Sequence, residues 1–402
     1  MKRSNTYLVA ATTFVAVALL SACGSSSSDS EAPSASGAEA SVAASAAPST
    51  EASAASAVPA SVQANIDVAI PGTYTLPEPT GPITPDKKVT GIVFGNQSQS
   101  GPIFTETFKA AGAAAGWDVN VVDGEFSTDL YLSAVRQAIA EKVDGIVLFV
   151  IDCAAVKAGV EEAQAAGIPV IYVEGYDCDS DGQGEATGYP LGLYNSLTEQ
   201  GVDYVTFLEA TGQLQANAMI SALDAKVEAL AVNYPETYAT VSITEGFMNE
   251  MEVCPTCTAT VFDAVYADWG NALQSKISTE LLKNPAINAI MGNYDDPVLN
   301  GIAAAAAASG RDIYVTGDAG YPAMIELIRQ GKADMTIGYD GAMESWAAIE
   351  RLNRIFNGDT APFNTGVGLQ LIDAENNLPA EGALYVAPVD YIAAYTAAWG
   401  AS

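Results

Sequence analysis

Asp144-Gly-Ile-Val-Leu-Phe-Val-Ile-Asp152, followed by Cys153-Ala-Ala-Val-Lys-Ala-Gly-Val-Glu-Glu-Ala-Gln-Ala-Ala-Gly167 and then Ile168-Pro-Val-Ile-Tyr-Val-Glu174, decides the fold. The apolar run 146–151 is too short for a helix and rich in β-branched residues. It suits a strand covered on both faces, as in a parallel sheet. In the middle segment Ala155, Val156, Val160 and Ala163 fall at helical spacing; Gly167 stops the helix and Pro169 opens the next strand. The three pieces make a right-handed βαβ unit. Both strands end in a carboxylate, Asp152 and Glu174, and in open parallel sheets the ligand crevice lies outside those carboxyl ends.

The alternation continues on either side. Strands are expected over 89–94, 117–122, 204–207, 226–232, 258–266, 287–291, 313–316 and 335–337. Helices are expected over 104–115, 130–141, 212–225, 273–282, 297–309, 323–329 and 345–356, and over 235–251 with Pro235 in its first turn. Two consecutive βα series of about five strands each imply an α/β fold of two doubly wound parallel-sheet lobes facing each other.

At the N-terminus, Lys2 and Arg3 precede an apolar run over 8–20. That is shorter than the ~20 residues a membrane span needs, and its cationic flank fits a secretory leader over 1–22. Leu20-Ser-Ala-Cys23 resembles the lipobox of bacterial lipoproteins, which implies a lipid on Cys23 as the only membrane anchor. From 23 to 86 the composition collapses to Ser, Ala, Pro, Glu and Gly, which reads as a disordered tether. Its later part, with more Pro and apolar residues, has the character of a segment lying against the folded body.

The chain carries 48 acidic against 16 basic residues, with no histidine. Phosphate binding needs a basic face, so nucleic acid is excluded as a partner. Without histidine there is no Ser-His-Asp triad and no His–metal site. No P-loop is present, and neither a cofactor nor a metal is expected. The acids over 177–185 lack an EF-hand pattern and read as a solvated loop, with calcium as the rival. Besides Cys23 four cysteines remain. Cys153 with Cys178 and Cys254 with Cys257 are the expected disulfides, a zinc site built from all four being the alternative.

Several stretches in this order resemble the type I periplasmic binding proteins of the ribose/galactose class: Val89-Thr-Gly-Ile-Val-Phe94, Val143-Asp-Gly-Ile-Val-Leu148, Ala166-Gly-Ile-Pro-Val-Ile171, Ala267-Asp-Trp269, Asn284-Pro-Ala-Ile-Asn-Ala-Ile290, Tyr294-Asp-Asp-Pro-Val-Leu-Asn-Gly301 and Gly331-Lys-Ala-Asp-Met-Thr-Ile337. The resemblance implies a monomeric solute receptor of an ABC importer that hands its ligand to a permease. Its lobes would comprise 87–208 with 338–371, and 209–337 with 372–402, joined by three crossovers near 208–212, 337–340 and 371. It also implies ligand contacts from Gln99, Ser100, Phe104, Asp152, Glu174 and Tyr176 in the first lobe. Tyr234, Trp269, Tyr294, Asp318 and Tyr339 would supply the rest, aromatics stacking on a sugar face and carboxylates accepting hydroxyl hydrogen bonds.

The sequence departs from that pattern in one respect. Ribose-class relatives carry arginines after strand four and in the first helix of lobe two, and here neither position is basic. A carboxylate or phosphate ligand would lack a charge partner. The ligand is expected to be neutral, a sugar or polyol, with a cation held in an aromatic box as the alternative. A sensory receptor docking on a signalling ectodomain remains open, and so does a two-carboxylate glycosidase.

Overall fold

The computed structural model describes residues 57–180 and 182–400. It opens with helix α1 (Ala60–Ala69), which buries Val62, Ile66 and Ala69, one face at helical spacing. The first half then alternates strand and helix: β1 (Lys88–Val93), α2 (Ser100–Ala114), β2 (Asp118–Asp123), α3 (Thr128–Ala140), β3 (Gly145–Phe149), α4 (Cys153–Ala165), β4 (Val170–Val173) and β5 (Tyr189–Pro190). The strands lie in the order β2-β1-β3-β4-β5, parallel throughout. β3 and β4, from the opening stretch, are buried at every position, as unbroken apolar runs covered on both faces must be.

A small hairpin, β6 (Tyr194–Asn195) and β7 (Gln200–Val202), leads into the second half. There follow α5 (Tyr204–Ala222), β8 (Glu228–Asn233), α6 (Tyr238–Met251), β9 (Thr258–Asp263), α7 (Asn271–Lys283) and β10 (Ala289–Met291). A short α8 (Asp295–Pro297) runs through a wide π turn into α9 (Ala303–Ser309), then β11 (Tyr314–Thr316), α10 (Pro322–Arg329) and β12 (Met335–Gly338). The chain returns to the first half as α11 (Gly341–Phe356), which packs on α2 and β4. It then supplies β13 (Gln370–Asp373) to the second sheet and ends in α12 (Tyr391–Trp399). The second sheet has the order β13-β12-β11-β10-β8-β9, with only β13 antiparallel to its neighbour.

Four expectations need correction. The tether over 23–86 does not extend to 86: 57–86 is packed against the body, α1 lying on α5 and β13. Strand 204–207 is instead the first turn of α5. Asp203 caps it, accepting from the backbone NH of Thr206 at 3.0 Å, and this local bond overrides the β character of Tyr-Val-Thr-Phe. The crossover expected near 208–212 therefore falls before Tyr204. Pro235 lies outside α6, which begins at Tyr238 after Thr237. Finally, 391–399 does not join the second lobe. Trp399 stacks on Trp346 of α11 at 5.6 Å, and its indole NH donates to Glu350 Oε2 at 2.7 Å.

The acidic loop is not wholly solvated either. Asp177 is buried and accepts from the backbone NH groups of Cys178, Thr187 and Gly188, folding the loop around itself. The cysteines come together as two close pairs, with Cα–Cα distances of 5.0 Å for Cys153 and Cys178 and 5.3 Å for Cys254 and Cys257.

Candidate ligand-binding cleft

The carboxyl ends of both sheets open onto one cavity, with about 670 Å³ of space not filled by protein atoms. A smaller chamber adjoins it and shares Ser100, Glu174, Ala319, Tyr321 and Tyr339. The first half contributes Phe94, Val150 and Glu174, each just past a strand, and Ser100 at the start of α2. The second half contributes Tyr204 and Leu208 from α5, Thr237 to Ile243 around the start of α6, Tyr266 after β9, Tyr294 and Asp296 after β10, and Asp318 and Tyr321 after β11. Tyr339 comes from the crossover after β12.

Backbone strain is found at and near this rim, as it is at several turns elsewhere in the described residues. Phe126, Val150, Glu174, Asn293 and Ala319 all have positive φ, from 50° to 116°, and all follow strand ends. For a β-branched residue such as Val150 this conformation is a true outlier, and strain of this kind gathers where a site is held in a fixed geometry. A close approach fixes Ser100: a Cβ on Gly101 would lie 2.3 Å from the Gly95 carbonyl, so only glycine lets the start of α2 tuck under the β1 loop.

The halves touch across the cleft. The Tyr176 hydroxyl lies 2.9 Å from Ser242 Oγ, and the Phe126 ring meets Trp269 edge-on at 6.4 Å. No lysine or arginine lines either chamber. The acids are correspondingly uncompensated. Burial raises Asp318 to about 7, and burial raises Asp296 to about 7 against a hydrogen bond from the Gln99 backbone. Glu344, in the first turn of α11, is fully buried and accepts from the Tyr194 hydroxyl at 3.0 Å. Burial pushes it to about 7, while burial and then the neighbouring Glu344 push Glu174 well above the carboxylate range. Two buried carboxyls side by side cannot both ionise, so this pair holds a proton.

Of the residues expected at the site, Ser100, Phe104, Glu174, Tyr294, Asp318 and Tyr339 lie on the walls. Phe104 is at the same time core, 1 % exposed and stacked on Phe149 at 4.8 Å. The other five are placed elsewhere. The Gln99 side chain faces solvent. Asp152 accepts from the Tyr176 backbone NH at 2.9 Å, bracing the β4 loop. Tyr176 ties the halves together. Tyr234 is fully buried behind Tyr266, stacked at 5.2 Å and 14°. Trp269 stands edge-on to Tyr266 at 5.5 Å, off the wall. Next to Tyr294, Asp295 accepts from the Tyr321 backbone NH and the Thr336 hydroxyl, while its neighbour Asp296 faces the cavity. Tyr204, Tyr266, Asp296, Tyr321 and Glu344 were missed. Their signal was weak: each sits one to three residues from a recognised strand end or helix start, where the turn of the loop decides its direction.

Comparison with known proteins bears on this arrangement. Among curated proteins no sequence match was found. Solved structures share the fold at low identity. A solute-binding protein from Agrobacterium vitis, bound to α-D-tagatopyranose, has a TM-score of 0.64 at 19% identity, covering 75% of this chain and 99% of its own. One from Actinobacillus succinogenes with D-allose has a TM-score of 0.61 at 19% identity over 72% and 98%. One from Bacillus halodurans with myo-inositol has 0.58 at 18% over 72% and 96%. All three are described as ABC transporter solute-binding proteins. Among the described residues no helix is long and apolar enough to cross a membrane. The periplasmic binding protein domain model matches residues 91–360. With that match, the two doubly wound halves and the cleft between their strand ends, this chain belongs to the periplasmic binding protein domain family, in its type I form.

Proposed function

We propose that the protein captures a sugar or polyol outside the cytoplasm, between its two halves, and delivers it to an ABC import permease without transforming it. The observation that carries this reading is the cleft itself. It is lined by tyrosines and hydrogen-bonding acids, and solved structures of the same fold are described with bound D-allose, α-D-tagatopyranose and myo-inositol. Stacking rings take the apolar face of a sugar, and Ser100, Thr237, Thr240, Asp296 and Asp318 serve its hydroxyls.

The remaining parts follow from the sequence. Cys23 lies outside the described residues, and its lipobox-like setting supports a lipid anchor on the outer face of the cell membrane. Cys153–Cys178 and Cys254–Cys257 form disulfides in an exported chain, supported by their proximity. The receptor acts as a monomer. A thermal-shift screen over sugars and polyols tests the central claim. A ligand at about 100 times its dissociation constant adds about 2.7 kcal/mol of stability. Failure of every member of such a panel to raise the midpoint would refute the reading.

A further inference from the structure

The cleft has an electrostatic feature that sugar capture alone does not account for. Glu174, Asp296 and Asp318 all reach its walls, and Glu344 stands directly behind Glu174. Among the described residues no lysine or arginine lines the walls beside them. The buried arginines of α11 are committed elsewhere. Arg351 donates to the carbonyls of Pro190, Thr360 and Ala361, and Arg354 pairs with Glu350 and Asp359. A neutral ligand would leave Asp296 and Asp318 desolvated without a charge partner on closure.

A second, independent observation comes from Asp318. It is 6 % exposed and lines the main chamber; the Thr211 hydroxyl and the Ala319 backbone NH stand beside its carboxyl, yet its Oδ1 is buried without a hydrogen-bond partner. A buried carboxylate oxygen left unmet costs free energy until something donates to it. The wall around it is aromatic: Tyr204, Tyr266, Tyr294, Tyr321 and Tyr339. A ring face attracts a cation, most strongly where water is excluded. Tyrosine faces with a carboxylate and no competing base form the environment that an ammonium group prefers over a hydroxyl.

We infer that the polyhydroxy ligand of this cleft carries a protonated amino group, seated against Asp318 and the surrounding tyrosine faces. The substrate class is an amino sugar or amino polyol, and the inference rests on the sugar or polyol reading of the same cleft. The hydroxyl partners Ser100, Thr237 and Thr240 take the neutral part of the ligand. The raised pKa values of Asp318 and Asp296 agree with this, since burial disfavours their charge and a bound cation would restore it.

The test is calorimetric titration of the ligand-free mature protein with matched pairs. These are glucosamine and glucose, galactosamine and galactose, 1-amino-1-deoxysorbitol and sorbitol, and an inosamine with its inositol. Choline and putrescine serve as amines without the polyol. At least one amino member should bind tenfold or more tightly than its hydroxyl counterpart, and Asp318→Asn should bring that ratio close to one. Hydroxyl members that bind as tightly as their amino partners would overturn the inference and leave the sugar reading standing. A preference that survives Asp318→Asn would overturn the placement at Asp318. Binding of choline or putrescine alone would overturn the polyol reading, and silence across the whole set would overturn both. Circular dichroism and the melting midpoint of Asp318→Asn confirm that the variant is folded.

Discussion

Tyr266 and Trp269 lie three residues apart in the chain and do different work. A single 3-10 turn carries the backbone from β9 past Tyr266, whose ring faces the cavity, and leaves Trp269 edge-on behind it. The Ala-Asp-aromatic pattern marked the right loop and the wrong ring, because which residue of a short turn points inward depends on its dihedrals. Tyr266→Ala should therefore weaken ligand binding by roughly 2–4 kcal/mol, as loss of a stacking face at a hot spot does, and Trp269→Ala by less. Titration of both variants decides, and a larger loss at Trp269 would return that ring to the wall. The acids give a second expectation. Asp296, Asp318 and Glu344 titrate near 7 in the fold, above the values near 4 of an unfolded chain. The folded state thus binds more protons between about pH 4 and pH 7, so stability falls as pH rises through that window and levels off above it. Glu141, Glu162 and Asp268 are lowered instead, and their effect is confined to pH below about 4. The ligand-free protein should melt higher at about pH 5.5 than at about pH 8, and Asp318→Asn should reduce the difference. A midpoint that rises with pH over this range would contradict the assignment of buried, uncompensated acids.

At the scale of elements, the apolar runs of β1, β3, β4, β8 and β10 were legible because a strand covered on both faces needs no polar residue. The segment 57–86 was legible only in its later Pro- and apolar-rich part, because the composition of its start resembles that of the tether before it. Its order comes from tertiary bonds that no local pattern announces. The Tyr74 hydroxyl donates to the Gly338 carbonyl and accepts from the Asp340 NH. Thr73 Oγ1 donates to the Asn195 carbonyl, and Thr75 NH donates to the Gly366 carbonyl. These partners lie at or next to the three passages between the halves, so the segment straps the hinge. Removing 57–75 should lower the melting midpoint and alter ligand affinity without touching the cleft wall. A truncated protein with unchanged midpoint and affinity would show the strap to be inert. The α5–α6 crossing is equally specific. Added Cβ atoms on Gly212 and Gly246 would lie 1.9 Å from the Ile243 carbonyl and 2.1 Å from the Glu209 carbonyl. Each backbone thus sits directly on the other helix. Gly212→Ala or Gly246→Ala should force the helices apart and cost about 1–3 kcal/mol or more, measurable by denaturant unfolding. A loss below half a kilocalorie would mean that the helices separate freely.

For the whole molecule, two sheets whose carboxyl ends face each other can hold a ligand by closing one half onto the other. The structure has the halves in contact, through the Tyr176 hydroxyl and Ser242 Oγ and through the rings of Phe126 and Trp269. None of these four residues lines the main chamber. Their contacts therefore stabilise closure itself, and a ligand that binds only the closed form gains by whatever they contribute. Tyr176→Phe keeps the ring, which packs on Tyr204 at 6.0 Å and Tyr238 at 5.6 Å, and removes only the hydroxyl. A hydrogen bond of this kind is worth about 0.5–1.5 kcal/mol, so affinity should fall roughly two- to tenfold. The fall should appear mainly in the dissociation rate, because loosened closure lets ligand leave. Solution scattering should show a smaller radius of gyration with ligand than without it in the unaltered protein, and a smaller share of compact molecules at equal ligand in the variant. If Tyr176→Phe lost affinity while the compaction was unchanged, the hydroxyl would have to act on the ligand directly, and Tyr176 would belong to the cleft wall as the sequence suggested.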